Sequence, residues 1–222
     1  MLRVLGIDAC RAGWVAVELH DGAFAGAYLG LRLDELLTPA DAVGIDIPLG
    51  FLETGWREAD TRAAQRLGPR RSSVFRVPPR AVWQRAPYAA ANALCRELTG
   101  AGLSVQAYGL RPKVLEANTW FDAGRYPLYE VHPEVSFAGL AGTTLAYPKH
   151  TWAGAHLRRR LLAAGGIDLP DELGDAGRAG PDDVLDAAAA AWSAHRIATG
   201  RGVALPDPPQ LNERGQRLAI WY

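Results

Sequence analysis

Short apolar runs separated by turn signals fill the first fifty residues, which is the pattern of a β-rich segment. Uninterrupted apolar runs predict strands that are buried on both faces, and the His-Asp-Gly break at positions 20–22 predicts a hairpin turn. A stretch with acidic residues in its first turn, ended by a proline, predicts a short helix. The predicted elements are strands at Leu2–Ile7, Trp14–Leu19, Phe24–Leu29 and Ala42–Ile47, with a helix at Leu33–Leu37 before the fourth strand.

Helical periodicity replaces the strands over residues 48–125. A basic loop that contains three prolines separates the first two predicted helices. No long flexible linker bounds this stretch, so we interpret it as a helical, Arg-rich insertion within a single domain of residues 1–222. The predicted helices are Arg57–Leu67, Tyr88–Leu98 and Arg111–Phe121, with a loop at Arg70–Pro87 and an ambiguous segment at Leu103–Leu110.

After the insertion, the core is predicted to resume with one strand and two helices. The last helix has the clearest signals, because a proline begins it, acidic residues fill its first turn and a glycine follows it. The predicted elements are a strand at Tyr126–Val131, helices at Thr151–Ala164 and Pro181–Thr199, and a polar connector at Asp168–Gly180. This order predicts an α/β fold with a ribonuclease H-like mixed five-stranded sheet flanked by helices, although a fold alone does not determine function.

Composition narrows the class of protein. A chain of 222 residues with 49% hydrophobic and 22% charged residues is globular rather than disordered. The formal net charge is zero, so the overall charge does not argue for nucleic acid or for a membrane surface. With two cysteines, no apolar run long enough to span a bilayer and an acidic residue already at position 8, we expect a cytoplasmic protein with no membrane partner.

Basic residues are concentrated in the insertion. Between positions 57 and 85 there are eight arginines and only two acidic residues. A neutral chain with one basic segment has a place to bind an anion, such as the phosphates of a nucleic acid, although a GC-rich genome also explains many arginines. The predicted phosphate-binding residues are Arg57, Arg62, Arg70, Arg71, Arg76 and Lys149. The alternative for Lys149, which precedes a predicted helix, is that its side chain is simply exposed to solvent.

Acidic residues follow two of the apolar runs. Asp8 and Asp46 each occur in a Gly-Ile-Asp sequence at or near the end of a predicted strand. Burial of a carboxylate is costly unless it is paired, hydrogen-bonded or bound to a metal. A single strand-end aspartate is explained by capping of a turn, but two in the same context, on strands that can be neighbours, favour a shared site.

Two later segments add further acidic residues. If the strand continues through Pro133, its periodicity places Glu130, His132 and Glu134 on one face. The alternative is a solvated strand end followed by a helix cap at Glu134, and the sequence leaves open which glutamate reaches the site. Asp183 and Asp186, three residues apart, face the same side of the last helix, and the small residues after Asp186 allow close approach to a sheet.

Clustered carboxylates repel one another unless cations hold them together, and oxygen ligands favour Mg²⁺ or Mn²⁺. Two such ions about 4 Å apart activate a water molecule and stabilise the leaving oxygen in phosphodiester hydrolysis. We therefore expect two bound ions. The predicted metal ligands are Asp8, Asp46 and Asp186, and the predicted catalytic set adds Glu130, Glu134 and Asp183.

These motifs, taken in order, resemble the domain-of-unknown-function family 429 (DUF429), which is regarded as a family of predicted nucleases of the ribonuclease H fold. The likeness covers nearly the whole chain. Its motifs are Gly6-Ile7-Asp8 with Arg11-Ala12-Gly13-Trp14, Ile45-Asp46-Ile47-Pro48, Arg57…Asp60…Arg62, Ser73-Val74-Phe75, Glu130-Val131-His132-Pro133-Glu134 and Asp183-Val184-Leu185-Asp186-Ala187. The last motif also resembles the closing helix of Holliday-junction resolvases, which implies a metal cluster that includes Asp8, Asp46 or a glutamate, and Asp183 with Asp186.

The hypothesis from the sequence is a metal-dependent nuclease that acts on DNA or RNA. Two alternatives stay open: a non-catalytic protein of the same fold that binds nucleic acid or nucleotides, and a hydrolase of a small phosphorylated metabolite. A homodimer is compatible with all three.

Overall fold

The structure is a computed structural model that describes residues 1–222. Its seven strands are β1 Arg3–Cys10, β2 Gly13–His20, β3 Ala23–Gly30, β4 Ala42–Ile45, β5 Leu128–Glu130, β6 Ala204–Leu211 and β7 Arg217–Trp221. Its eight α-helices are α1 Glu58–Leu67, α2 Arg80–Gln84, α3 Tyr88–Thr99, α4 Val105–Gly109, α5 Arg111–Ala123, α6 Pro133–Ala141, α7 Trp152–Ala164 and α8 Pro181–Ala198. The chain forms two compact units: Met1–Ile47 with Gly124–Val203 and Trp221–Tyr222, and Pro48–Ala123 with Ala204–Ile220.

The first unit is built on a five-stranded sheet with the strand order β3-β2-β1-β4-β5. β2 pairs antiparallel with both β1 and β3, whereas β4 pairs parallel with both β1 and β5. Helices α6, α7 and α8 belong to the same unit, and α8 packs against β1, β2 and β4. The predicted α/β class with a mixed five-stranded sheet is confirmed, and the arrangement is consistent with the ribonuclease H-like fold.

Glycines on β1 and β4 bring α8 unusually close to the sheet. A Cβ atom at Gly6 would lie 1.9 Å from the backbone nitrogen of Ala191 and 2.1 Å from the carbonyl oxygen of Ala187. A Cβ atom at Gly44 would lie 2.5 Å from the carbonyl oxygen of Ala190. The backbone of the helix therefore touches the backbone of the sheet, and the position of α8 relative to β1 is fixed by contacts that leave no space for a side chain.

The hydrophobic core of the first unit lies between the sheet and these helices. Alternating residues of β2, such as Val15, Val17 and Leu19, belong to the same cluster of fully buried side chains as Phe137 of α6 and Leu162 of α7. The sheet and the three helices therefore share one core. None of the helices in either unit is both long and apolar enough to cross a membrane.

The segment after the insertion differs from the prediction, and the expected single face with Glu130, His132 and Glu134 is wrong. β5 ends at Glu130, His132 is the N-cap residue of α6 and Pro133 occupies the first helical turn. Proline is favoured there because its missing N–H has no helical partner, and Glu134 in the same turn interacts favourably with the helix dipole. The sequence interpretation did not include α6.

Other predicted bounds also change. β4 ends at Ile45, so that Asp46 lies just beyond the strand, and the predicted helix at Leu33–Leu37 is a single 3₁₀ turn, Leu33–Glu35. The predicted loop at Arg70–Pro87 contains most of a 3₁₀ helix, Gly68–Ser73, and all of α2. The ambiguous segment at Leu103–Leu110 contains α4.

The second unit contains α1 to α5 and the two-stranded sheet of β6 and β7. A buried amide, Asn118 of α5, accepts a hydrogen bond from the Gly50 N–H (2.7 Å) and donates one to the Pro48 carbonyl oxygen (2.8 Å). The strand β6 was not predicted, because its sequence contains Pro206, Pro208 and Pro209, and proline cannot donate to a sheet hydrogen bond.

Candidate metal centre

Two aspartates extend from the same edge of the first unit's sheet. Asp8 lies near the end of β1, and Asp46 directly follows β4. The two strands are parallel, with Ile7 opposite Ile45, and the Asp46 N–H donates to the Ile7 carbonyl oxygen at 2.9 Å. Because parallel strands place their carboxyl ends at one edge, the repeated Gly-Ile-Asp sequence becomes a pair of neighbouring carboxylates.

Asp186 reaches the same edge from α8. It directly precedes Ala187, whose carbonyl oxygen lies against Gly6, two residues before Asp8. One carboxylate oxygen from each of Asp8, Asp46 and Asp186 lies within 4.8 Å of the others. The structure thus brings together the three residues that the sequence predicted as metal ligands, in an all-oxygen set that suits Mg²⁺ or Mn²⁺. We call these three residues the aspartate cluster.

Burial and mutual repulsion make the charged state of the aspartate cluster unfavourable. Asp8 and Asp186 are only 6% and 2% exposed, and Asp46 is half-buried. Burial raises the pKa of Asp8 well above its usual range, and the charges of Asp46 and Asp186 raise it further. Burial also raises the pKa of Asp46 and of Asp186 to about 7, against the attraction of Lys149. Additional positive charge at this position would relieve the repulsion, which is what a bound cation supplies.

The ammonium group of Lys149 lies inside this acidic site. Its Nζ donates to Oδ2 of Asp186 at 2.5 Å and lies 3.8 Å from Oδ2 of Asp182. His150 contacts the same Asp182 oxygen through Nδ1 at 3.2 Å. The side chain of Lys149 is only 31% exposed and forms an ion pair with Asp186, so the alternative of a simply solvent-exposed lysine is wrong. Its predicted contact with phosphate stays a prediction.

Three further acidic residues surround the aspartate cluster. Glu130 and Glu134 are buried, and the repulsion of both raises the pKa of Asp46. Asp183 is half-buried, its own pKa is raised by burial and by Asp182, and its charge also raises the pKa of Asp8. The sequence left open which of Glu130 and Glu134 joins the site. Neither glutamate contributes an oxygen to the aspartate cluster.

Glu134 instead pairs with a residue that the sequence analysis missed. It accepts a hydrogen bond from Nη2 of Arg158, a fully buried side chain of α7. Nη1 of Arg158 donates to the carbonyl oxygens of Tyr147 and Gly154, both at 3.1 Å. The guanidinium group also lies 5.3 Å from the ring centre of Phe137. Arg158 therefore joins α6, α7 and the segment that leads to Lys149; nothing in the run of three arginines at 158–160 indicates which one is buried.

Two of the predicted phosphate-binding arginines make internal ion pairs of the second unit. Arg57 is 1% exposed, and its Nη2 donates to Oδ1 of Asp60 at 2.6 Å. Arg62 is exposed and pairs with Glu58 of the same helix at 2.7 Å. The Arg57 side chain is therefore part of the folded interior, where its guanidinium group donates hydrogen bonds to Asp60 and to the carbonyl oxygen of Leu49.

The other three arginines are placed differently. Arg70 and Arg71 lie in the 3₁₀ helix that follows α1, where Arg70 is half-buried and Arg71 is exposed. Arg76 is exposed, with its guanidinium carbon 5.6 Å from the ring centre of Trp56. Arg71 and Arg76 thus present their charges to solvent, where an anion can reach them.

Without metal, the free energy of unfolding is expected to fall as the pH rises from about 4 to about 7. The folded protein holds protons on Asp46 and Asp186 up to a pKa of about 7, whereas unfolded aspartates lose them near pH 4. The folded state therefore binds more protons than the unfolded state over this range, and stability decreases with pH. Denaturant titrations in EDTA at several pH values measure this dependence.

At pH 7.5, Mn²⁺ is expected to stabilise the folded protein. At ten times its Kd the gain is about 1.4 kcal/mol, which corresponds to a rise in melting temperature of roughly 3–6 °C for a chain of this size. Asp8→Asn should leave the metal-free protein at least as stable and reduce the rise. Asp168→Asn, at an exposed position of the connector, should retain it. An equal rise in Asp8→Asn and wild type, or none in either, would contradict the site.

One family is found by comparison with known proteins. The model of the family described as "Protein of unknown function (DUF429)" matches residues 6–211, a range that includes the whole aspartate cluster. The comparisons with curated proteins and with solved structures found no significant match. The description of the family names no activity.

Proposed function

The chain belongs to the DUF429 family, and from that premise we propose that it is a metal-dependent nuclease that hydrolyses phosphodiester bonds in nucleic acid. The observation that carries the proposal is the aspartate cluster, in which three carboxylate oxygens lie within 4.8 Å of one another at the edge of the sheet. Its acidic surroundings and its raised pKa values support a cation as its natural ligand. The resemblance of the sequence motifs to predicted nucleases points to the same chemistry.

Asp8, Asp46 and Asp186 would hold one or two Mg²⁺ or Mn²⁺ ions. Ions bound there would activate a water molecule and stabilise the charge that develops on the phosphate. The protein holds these carboxylates in place. Asp8 accepts a hydrogen bond from the Ala9 N–H at 2.7 Å, which orients one of its oxygens. Asp186 is held in place by the contact of α8 with β1.

The surrounding acidic residues would act on the site through their charge. Glu130, Glu134 and Asp183 add negative potential next to the aspartate cluster, which raises the local concentration of cations. Asp183 is the member of this group that keeps partial access to water, so it is placed to exchange protons with solvent. Glu134 also holds Arg158 and thereby the segment before Lys149.

The proposed phosphate contacts are the exposed arginines of the second unit. Arg71 and Arg76 present their charges to solvent, and the ring of Trp56 beside Arg76 offers a surface on which a base can stack. We also propose a cytoplasmic location, with which two free cysteines are compatible.

The direct test is an assay of the purified protein against single-stranded DNA, duplex DNA, branched DNA and an RNA–DNA hybrid. We expect cleavage of at least one substrate with Mn²⁺ or Mg²⁺ and none with EDTA. Binding of these substrates without cleavage under any metal condition would instead support a non-catalytic nucleic-acid-binding protein. Hydrolysis restricted to small phosphate esters would support the metabolite hydrolase. That alternative is favoured by the ion pairs of Arg57 with Asp60 and of Arg62 with Glu58, because these pairs leave fewer arginines to bind a phosphate backbone.

Charge reversal of the exposed arginines should weaken nucleic-acid binding and reduce its dependence on salt. Arg71→Glu with Arg76→Glu removes two phosphate contacts, so the slope of log K against log salt should become less negative by about 2. Fluorescence anisotropy with a labelled oligonucleotide measures this slope. Arg178→Glu with Arg217→Glu makes the same change in net charge at two exposed positions outside the Arg-rich residues 57–85 and should alter the slope less. Equal slopes in the two double variants would contradict the role of Arg71 and Arg76 in binding phosphate.

A further inference from the structure

We propose that Lys149 acts as a built-in cation that occupies the aspartate cluster in the metal-free protein and leaves Asp186 when a divalent ion binds. The inference rests on the proposed metal site and adds a consequence for the order of binding. In the metal-free protein the ammonium group is held by Asp186, whereas in the metal-bound protein it is available to a substrate phosphate. Metal would thus bind first, and the phosphate contact of Lys149 would follow.

The position of the ammonium group is the first argument. Its Nζ lies 2.5 Å from Oδ2 of Asp186, the residue whose other neighbours in the cluster are Asp8 and Asp46. A lysine ammonium is a compact positive charge with three donors and no acceptor, so it neutralises carboxylates through hydrogen bonds where a metal ion would do so by coordination. A divalent ion bound by Asp186 would face a like charge at this short distance. The repulsion favours separation of the two cations.

The backbone around Lys149 is fixed, so only its side chain needs to move. Pro148 accepts hydrogen bonds through its carbonyl oxygen from the N–H and the hydroxyl of Thr151, at 3.1 and 2.8 Å. The same oxygen lies against Gly154, where a Cβ atom would approach to 1.9 Å. The Tyr147 carbonyl oxygen accepts from buried Arg158. The segment on both sides of Lys149 is therefore anchored to α7.

The side chain of Lys149 is free to move away from Asp186. It is 31% exposed, in contrast to the 3% of the Asp186 side chain that it contacts, so one part of it already faces solvent. Its four-carbon stem is flexible, and Asp182, at 3.8 Å, provides a second carboxylate near the mouth of the site. Release of Lys149 from Asp186 thus requires a change of rotamer rather than a movement of the chain.

The composition of the chain makes the release directly measurable. Lys113 and Lys149 are its only lysines, and Lys113 lies in α5 of the second unit. Protein labelled with ¹⁵N-lysine therefore gives two side-chain ammonium signals, which Lys149→Met assigns. Without metal, we expect slow exchange of the Lys149 ammonium protons with water, because a carboxylate holds them. At saturating Mg²⁺ their exchange should become several-fold faster, while the signal of Lys113 stays unchanged.

Metal affinity provides a second measurement that does not depend on activity. Mn²⁺ binding, followed by electron paramagnetic resonance of the free ion, should be about tenfold tighter or more in Lys149→Met, since the ion no longer competes with a charged hydrogen bond. Lys149→Gln provides a second neutral variant if Lys149→Met folds poorly. Lys113→Met is the matched control and should bind Mn²⁺ like the wild type.

The outcomes separate this inference from the proposed function. Saturation with Mg²⁺ that leaves the exchange of the Lys149 ammonium unchanged would show that lysine and metal share the site, and would overturn the inference while the metal site stands. Mn²⁺ affinities within twofold of wild type in both neutral variants would overturn it as well. If neither wild type nor variants bind Mn²⁺, the metal site is contradicted, and the inference fails with it.

Discussion

Asp8→Asn and Asp186→Asn are each expected to lower turnover by at least two orders of magnitude while binding of nucleic acid persists. Asparagine keeps the shape of the side chain but removes the negative charge that holds a cation and replaces one oxygen with a donor group. Since the two residues come from a strand and a helix, neither can substitute for the other. A metal ion that is no longer held cannot stabilise the charge of the transition state. We therefore expect a lower kcat and an unchanged affinity for the substrate.

Single-turnover cleavage at saturating Mn²⁺, together with anisotropy measurements of binding, separates these two effects. Asp168→Asn changes an exposed aspartate of the same unit and should retain full turnover. If both Asp8→Asn and Asp186→Asn stay within threefold of the wild-type turnover, the aspartate cluster does not carry the activity.

Gly6→Ala is expected to destabilise the protein by more than about 4 kcal/mol or to prevent folding. The added methyl group would lie 1.9 Å from one backbone atom of α8 and 2.1 Å from another. Backbone atoms cannot move aside as the end of a flexible side chain can, so α8 would have to shift away from β1. Such a shift would also open the helix–sheet contact that positions Asp186.

Urea unfolding followed by circular dichroism measures this loss of stability. Gly109→Ala is a suitable control, because a Cβ atom there meets no other atom within 4 Å. That substitution should be neutral or slightly stabilising, since alanine loses less conformational entropy in a helix than glycine does. A cost below about 1 kcal/mol for Gly6→Ala would mean that α8 is not held against the sheet as described.

The sequence predicts the aspartate cluster well for a physical reason. Asp8 lies near the end of β1 and Asp46 just beyond the end of β4, in the same local context, and the parallel pairing of these strands brings such positions to one edge. Asp186 follows from the helical period and from the alanines after it, which permit the close contact with β1. These inferences need only local patterns and the order of the elements.

The sequence does not predict the residues whose role depends on contacts between distant segments. Lys149 lies in an irregular segment, and its contact with Asp186, 37 residues away, is set by the packing of α7 and α8. Arg158 is one of three consecutive arginines, and only the folded structure shows which one faces Glu134. Arg57 carries the same charge as its exposed neighbours, yet it lies in the interior because Asp60, three residues later, pairs with it.

The contact between the glycines of the sheet and the alanines of α8 has a consequence for hydrogen exchange. A helix that touches a sheet through backbone atoms cannot open by itself, because its partial release would expose the interior of β1 and β4 at the same time. The amides of α8 and of these two strands should therefore exchange in one cooperative step, close to global unfolding. A ligand bound to Asp186 would slow the exchange of all three elements together, even at amides far from the ligand.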